Sequence, residues 1–138
     1  MDKKYKVAII DDVKDLCQLI KLNLELTDEF NAIIIEDVNT VEEVCDNEKP
    51  DVVMVDFSMP LRDGPSIIDS LKTRDSTKNI PIILMSGWGD RDCSKLKGES
   101  PDGFTSAKIK EEYIAEYLEK PFQADVLVSV VKKSLNIL

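Results

Sequence analysis

The stretch VVMVDFSMPLRDG, residues 52–64, decides how this chain is read. A β-branched apolar run with no polar interruption stops at Asp56, and Met59-Pro60 and Asp63-Gly64 follow closely. A strand that is apolar on both faces needs cover on both sides, as a parallel sheet flanked by helices provides. A carboxylate at the end of such a strand contributes nothing to packing, so it needs a partner, water or an ion.

The same alternation of short apolar runs and longer amphipathic segments continues in both directions from that stretch. Strands are expected at Tyr5–Ile10 and at residues 32–35, 52–55, 80–85 and 115–119. A helix is expected over residues 13–26, with Val13, Leu16, Cys17, Ile20 and Leu24 on one stripe. Thr40 and Glu43 have capping-box spacing and predict a second helix of about two or three turns. Pro65 suits a first helical position and precedes Ile67, Ile68 and Leu71 as a buried face. Residues 123–135 form the last expected helix. Val126, Leu127, Val130 and Val131 turn inward, and Lys132 and Lys133 lie near the C-terminus, where cations suit the helix dipole. The pattern implies an α/β domain over residues 1–138 with one parallel sheet covered on both sides. Residues 87–113 resist it. They are rich in charge and carry Gly87, Gly89, Gly98, Pro101 and Gly103, which reads as a long β4–β5 connection with a short helix near residues 106–112.

With 138 residues and 43% hydrophobic content, the chain fits one domain with a real core. Its net charge of -9 argues against direct nucleic-acid binding, since phosphate contacts call for Lys and Arg. No histidine is present, which excludes His-based triads and the common zinc sites. The cysteines, Cys17, Cys45 and Cys93, are odd in number and widely spaced, and are read as plain thiols. No membrane-length apolar run and no signal-like start are seen, so no membrane partner and a cytoplasmic location are expected.

Several strands end in groups that carry chemistry. The first runs into Asp11-Asp12, the third into Asp56, the fourth into Ser86 and the fifth into Lys120-Pro121. In an open parallel sheet these ends share one edge, where ligands bind. Taken singly, each has an ordinary explanation as a cap, turn or loop residue. Together, three carboxylates repel one another unless a cation sits among them. Mg²⁺ takes carboxylates, phosphate oxygens and water, and Lys120 adds a further positive charge. The set reads as a magnesium site for phosphoryl chemistry, with a nucleophilic carboxylate able to form an acyl phosphate.

These pieces carry a resemblance. VAIIDD, DFSMPLRDG around Asp56, IPIILMSG through Ser86 and YLEKPF, in that order, resemble the receiver domain of two-component response regulators over nearly the whole chain. The resemblance implies a flavodoxin-like, doubly wound five-stranded sheet of order 2-1-3-4-5; the family supplies one of the standard examples of that fold. It implies Asp56 as the phosphoacceptor, Asp12 as a direct Mg²⁺ ligand with Asp11 acting through water, and the Ser58 backbone carbonyl as a further ligand. It also implies that Ser86 bonds a phosphoryl oxygen, that Lys120 pairs with the phosphoryl group, that the Lys120-Pro121 peptide is cis, and that Tyr117 moves with Ser86 as a switch.

The chain departs from the family between Ser86 and Lys120, which lie about a dozen residues further apart than is usual. This is either a tolerated insertion or a modified partner-binding face, the latter suggested by Trp88, Phe104 and Tyr113. Trp88 near the phosphoryl position is expected to slow self-dephosphorylation. The functional expectation is a phosphorelay switch, not an enzyme. It takes a phosphoryl group from a histidine kinase or histidine phosphotransfer protein and signals by contact with a downstream target protein. Only three residues follow Leu135, so no attached DNA-binding module is expected. The alternatives are a phosphate-independent pseudo-receiver and an aspartyl-phosphate phosphohydrolase. The latter usually has a second acid two residues after the nucleophile, where this chain has Ser58.

Overall fold

In the computed structural model of the protein, residues 3–87 and 110–137 are described. Five strands form one parallel sheet: β1 Tyr5–Ile10, β2 Phe30–Ile34, β3 Val52–Asp56, β4 Ile82–Ser86 and β5 Glu116–Glu119. Their spatial order is β2-β1-β3-β4-β5, as the resemblance implies for the flavodoxin-like receiver fold. Among the described residues, four helices surround the sheet: α1 Lys14–Leu26, α2 Val41–Glu48, α3 Gly64–Thr73 and α4 Ala124–Ser134.

The apolar strands divide their side chains between two layers. Ala8, Ile10, Val53, Val55, Ile82 and Leu84 pack with Val41, Cys45, Ile67, Ile68 and Leu71 of α2 and α3. Val7, Ile9, Val52, Met54, Ile83 and Met85 pack with Cys17, Ile20 and Leu24 of α1 and with Leu127 and Val131 of α4. All five residues of β3 are buried, as the unbroken run from Val52 requires. Each large side chain so removed from water contributes roughly 1.5–3 kcal/mol before entropy is subtracted.

Several boundaries differ from those expected. Ile80 and Pro81 precede β4 instead of opening it: Pro81 has no N–H to give a ladder, and the Ile80 N–H turns back to the Thr77 carbonyl at 3.0 Å. β2 begins at Phe30, whose buried ring packs 6.3 Å from that of Tyr5. Val13 is half exposed, not on the core stripe, because the Asp11 carboxylate accepts its N–H at 2.9 Å and delays the helix to Lys14. Val126 is also exposed, being a helical step off the Leu127–Val131 stripe, while Val130 is half-buried.

The capping box at Thr40 does not form. A single 3₁₀ turn, Val38–Thr40, precedes α2 and is capped by Asp37, which accepts the Asn39 N–H at 2.9 Å. The Thr40 hydroxyl instead donates to the Asp37 carbonyl at 2.8 Å. Pro65 lies in the first turn of α3 behind the cap Asp63, which accepts the Ser66 N–H at 2.9 Å.

Of the expected helix at 106–112, residues 106–109 lie outside the described residues, as do Trp88, Cys93 and Phe104; Glu111–Tyr113 is a 3₁₀ turn. Tyr113 is drawn against the α2/α3 layer of the core, which counts against its serving as a freely presented partner contact. Among the described residues, no helix is long and apolar enough to cross a membrane.

Candidate functional site

The winding reverses between β1 and β3. These neighbours pair in register from Val7–Val52 to Ile10–Val55, so the residues that follow, Asp11 and Asp56, emerge side by side at the carboxyl edge. β4 places Met85 against Asp56, and Ser86 against Glu119 of β5. The Lys120 N–H donates to the Ser86 carbonyl at 2.7 Å, which carries the lysine to the same edge.

Lys120 is the hub. Its ammonium donates to Asp11 Oδ2 at 2.6 Å and lies 2.9 Å from Asp56 Oδ1. The Asp11 side chain is fully buried and Asp56 nearly so, whereas Asp12 is exposed. Each of these three acids brings one carboxylate oxygen within 4.8 Å of the others. The donors are all hard oxygens around a space open on the Asp12 side, and the cluster has more negative charge than one lysine offsets. That chemistry fits Mg²⁺ and does not fit a soft metal.

The electrostatics follow from this crowding. Burial pushes the Asp56 carboxyl up to about 6; the Lys120 hydrogen bond opposes the shift, and the charges of Asp11 and Asp12 add to it. Burial alone would lower the Lys120 ammonium, but its bonds to Asp11 and Asp56 outweigh this and raise it. Cys17 donates its thiol to the Asp11 carbonyl at 3.3 Å and is pushed to about 11 by burial, which makes it an inert structural thiol.

The loop after β3 is held at both ends. Met59 is buried in the core as a plug, and the Gly64 N–H donates to the Phe57 carbonyl at 3.0 Å. A Cβ on Gly64 would stand 2.4 Å from the Asp56 carbonyl oxygen, so glycine is needed for this close approach. Ser58 is exposed at the start of the loop. Ser86 is buried at the end of β4, and Tyr117 is half-buried on β5, packed against the α2/α3 layer of the core. The Lys120-Pro121 peptide is cis.

Sequence reasoning missed Glu36 and Asp37, which together with Asp11, Asp12, Met59 and Leu61 border a cavity of about 290 Å³ at this edge. The signal was present: β2, like β1 and β3, runs into acids. It also missed that Lys120 pairs directly with buried Asp11, a contact that no local spacing announces.

A family model described as the response regulator receiver domain matches residues 7–132. The C4-dicarboxylate transport transcriptional regulatory protein DctD of Pseudomonas aeruginosa is 27% identical over 99% of this chain and 26% of its own length. The phosphate regulon transcriptional regulatory protein PhoB of the same organism is 26% identical over 94% of this chain and 51% of its own length. The chain thus spans about a quarter and about half of these relatives. Among solved structures, a response regulator receiver domain protein from Clostridium thermocellum is similar, with a TM-score of 0.76 and 26% identity over 96% of this chain and 94% of that one. A putative response regulator from Chloroflexus aurantiacus shares the fold, with a TM-score of 0.78 and 24% identity over 97% of this chain and 99% of that one. On the strength of the match over residues 7–132 and of a carboxyl edge built from Asp11, Asp12, Asp56 and Lys120, the chain belongs to the response regulator receiver domain family of two-component systems.

Proposed function

We propose that the chain acts as one receiver unit in which Asp56 accepts a phosphoryl group from a phosphohistidine on a partner. That partner is a histidine kinase or a histidine phosphotransfer protein. The observation that carries this reading is the meeting of Asp56 Oδ1 with Lys120 Nζ at 2.9 Å, inside a cluster whose carboxylate oxygens lie within 4.8 Å of one another. A carboxylate oxygen of Asp56 attacks phosphorus, the P–N bond to the donor imidazole breaks, and the imidazole leaves with its electron pair. Asp11, Asp12, Asp56 and the Ser58 carbonyl would hold Mg²⁺, with the buried Asp11 shaping the site through Lys120. The ion, when bound, supplies charge stabilisation for the oxygens of the transferring group.

Lys120 then exchanges its bond to the Asp56 carboxylate for one to the phosphoryl oxygens, and Ser86 donates its hydroxyl to another. Because the phosphoryl group engages these residues only in the modified protein, it biases the Ser86 and Tyr117 region toward a second arrangement. Output runs through contact with a downstream protein, and the chain turns over no substrate of its own.

Incubation with Mg²⁺ and a small phosphodonor, read by intact mass, tests this reading. One added phosphoryl group on the native chain and none on Asp56→Asn is the expected result. Equal labelling of the Asn variant overturns the assignment.

A further inference from the structure

The loop between β3 and α3 contains a backbone feature that the proposed reaction leaves unexplained. Leu61 has φ 72°, in the left-handed region that side-chain-bearing residues avoid, and is 93% exposed. The Arg62 N–H donates to the Pro60 carbonyl at 2.8 Å, closing a γ-turn about Leu61. No burial of the leucine side chain repays this strain, so other bonds must hold the turn.

Arg62 supplies them. Its guanidinium donates to the Val38 carbonyl at 2.9 Å and to Glu42 Oε1 at 2.9 Å, and its second nitrogen pairs with Glu42 Oε2. The Arg62 and Glu42 side chains are only 19% and 18% exposed, so the two-point pair is largely shielded from water. Ser70 of α3 donates its hydroxyl to the same carboxylate. One side chain thus ties the β3–α3 loop to the turn before α2, to α2 itself and, through Glu42, to α3. The fixed fork of arginine sets direction as well as distance, which a lysine there would not. The tethered loop begins at Asp56, contains Ser58 and returns at Gly64 against the Asp56 carbonyl.

We propose that the Arg62–Glu42 pair is a positioning clamp, which holds the strained turn at Leu61 so that the Ser58 carbonyl and Asp56 face Asp11 and Asp12 as a preformed Mg²⁺ site. This rests on the metal reading given above. Without the clamp the turn relaxes, and the ion must reorder the loop as it binds. Arg62 touches no reacting atom and acts only through the loop.

The test is calorimetric titration of unphosphorylated protein with Mg²⁺ alone, beside thermal melts in EDTA. Arg62→Ala is expected to bind Mg²⁺ about tenfold more weakly, the order of one left-handed backbone strain. Arg62→Lys falls between that variant and the native chain. Leu61→Gly alone binds like the native protein, since glycine adopts the same turn freely. The decisive variant is Leu61→Gly/Arg62→Ala. It regains most of the Mg²⁺ affinity while its melting temperature stays at or below that of Arg62→Ala, which separates positioning from stability. If Arg62→Ala does not fold, Glu42→Gln with and without Leu61→Gly makes the same comparison. Unchanged affinity in folded Arg62→Ala, or no recovery in the double variant, overturns the clamp and leaves the metal site standing. A native chain that binds no Mg²⁺ overturns both.

Discussion

Lys120 Nζ lies 2.9 Å from Asp56 Oδ1, so before any phosphoryl group arrives the lysine already bonds the carboxylate proposed to receive it. The same ammonium reaches Asp11 Oδ2 at 2.6 Å. One cation therefore offsets two buried anions, and the proposed metal has to share those anions with it.

Replacing Lys120 by methionine is accordingly expected to act in opposite directions on stability and on metal binding. In EDTA the variant loses about 3–5 kcal/mol, because two buried carboxylates lose their partner. Its affinity for Mg²⁺ rises about tenfold, because the competing charge is gone. Phosphorylation of Asp56 slows by about a hundredfold for want of the cation that follows the phosphoryl oxygens. Denaturant melts, calorimetry and intact mass check the three in turn.

The raised carboxyl of Asp56 makes the site a source of pH-dependent instability. Its folded value of about 6 exceeds its unfolded value of 3.8, so the folded chain binds more protons between them and stability falls as pH rises through that window. Asp56→Asn is therefore expected to be the more stable protein at about pH 7 without metal, by on the order of 2 kcal/mol. The gap closes only as pH falls below the unfolded value of 3.8, where the carboxyl is protonated in both states, and it narrows when Mg²⁺ is added. Melts of both proteins across pH, with and without Mg²⁺, read this directly.

Glu42 behaves in the opposite sense. Its hydrogen bonds from Arg62, set against burial and helped by Ser70, hold its carboxyl at about 2 in place of 4.5. The stabilisation is fully present above the unfolded value and is lost as pH falls toward the folded one. Glu42→Gln is expected to cost roughly 1–3 kcal/mol at about pH 6 and nearly nothing at about pH 2, so its acid denaturation profile is flatter than that of the native chain.

Gly64→Ala tests the close approach beneath the acceptor. Its methyl group would stand 2.4 Å from the Asp56 carbonyl oxygen and 2.9 Å from Phe57 Cα, and neither backbone atom yields readily. A loss of about 1–3 kcal/mol is expected, together with slower phosphorylation, since the shift falls on Asp56 itself. Melting and labelling rates that match the native chain would show that the strand end gives way at little cost.

Much of this was legible in the chain. The doubly apolar run at Val52 announced a covered parallel strand, and β3 is buried throughout. The acids after β1 and β3, the serine after β4 and the lysine after β5 announced a shared edge, because a parallel sheet delivers every strand end to the same side. Local capping was less legible. Thr40 and Glu43 have the right spacing, yet the preceding turn is capped by Asp37, a choice made by the path of the chain between β2 and α2. Val13 fits the helical stripe by period but is turned outward by the bond from its N–H to the Asp11 carboxylate.

By itself, the sequence determined the succession of strands and helices along the chain and that Asp11, Asp12, Asp56, Ser86 and Lys120 stand at or just after strand ends, because periodicity and residue type are local properties. Only the tertiary structure decided that Asp11 is the buried partner of Lys120 while Asp12 stays exposed, that Arg62 reaches Glu42, and that Leu61 sits in a left-handed turn. Those facts depend on distances between segments far apart in the chain, which are set when the two faces of the sheet pack against their helices.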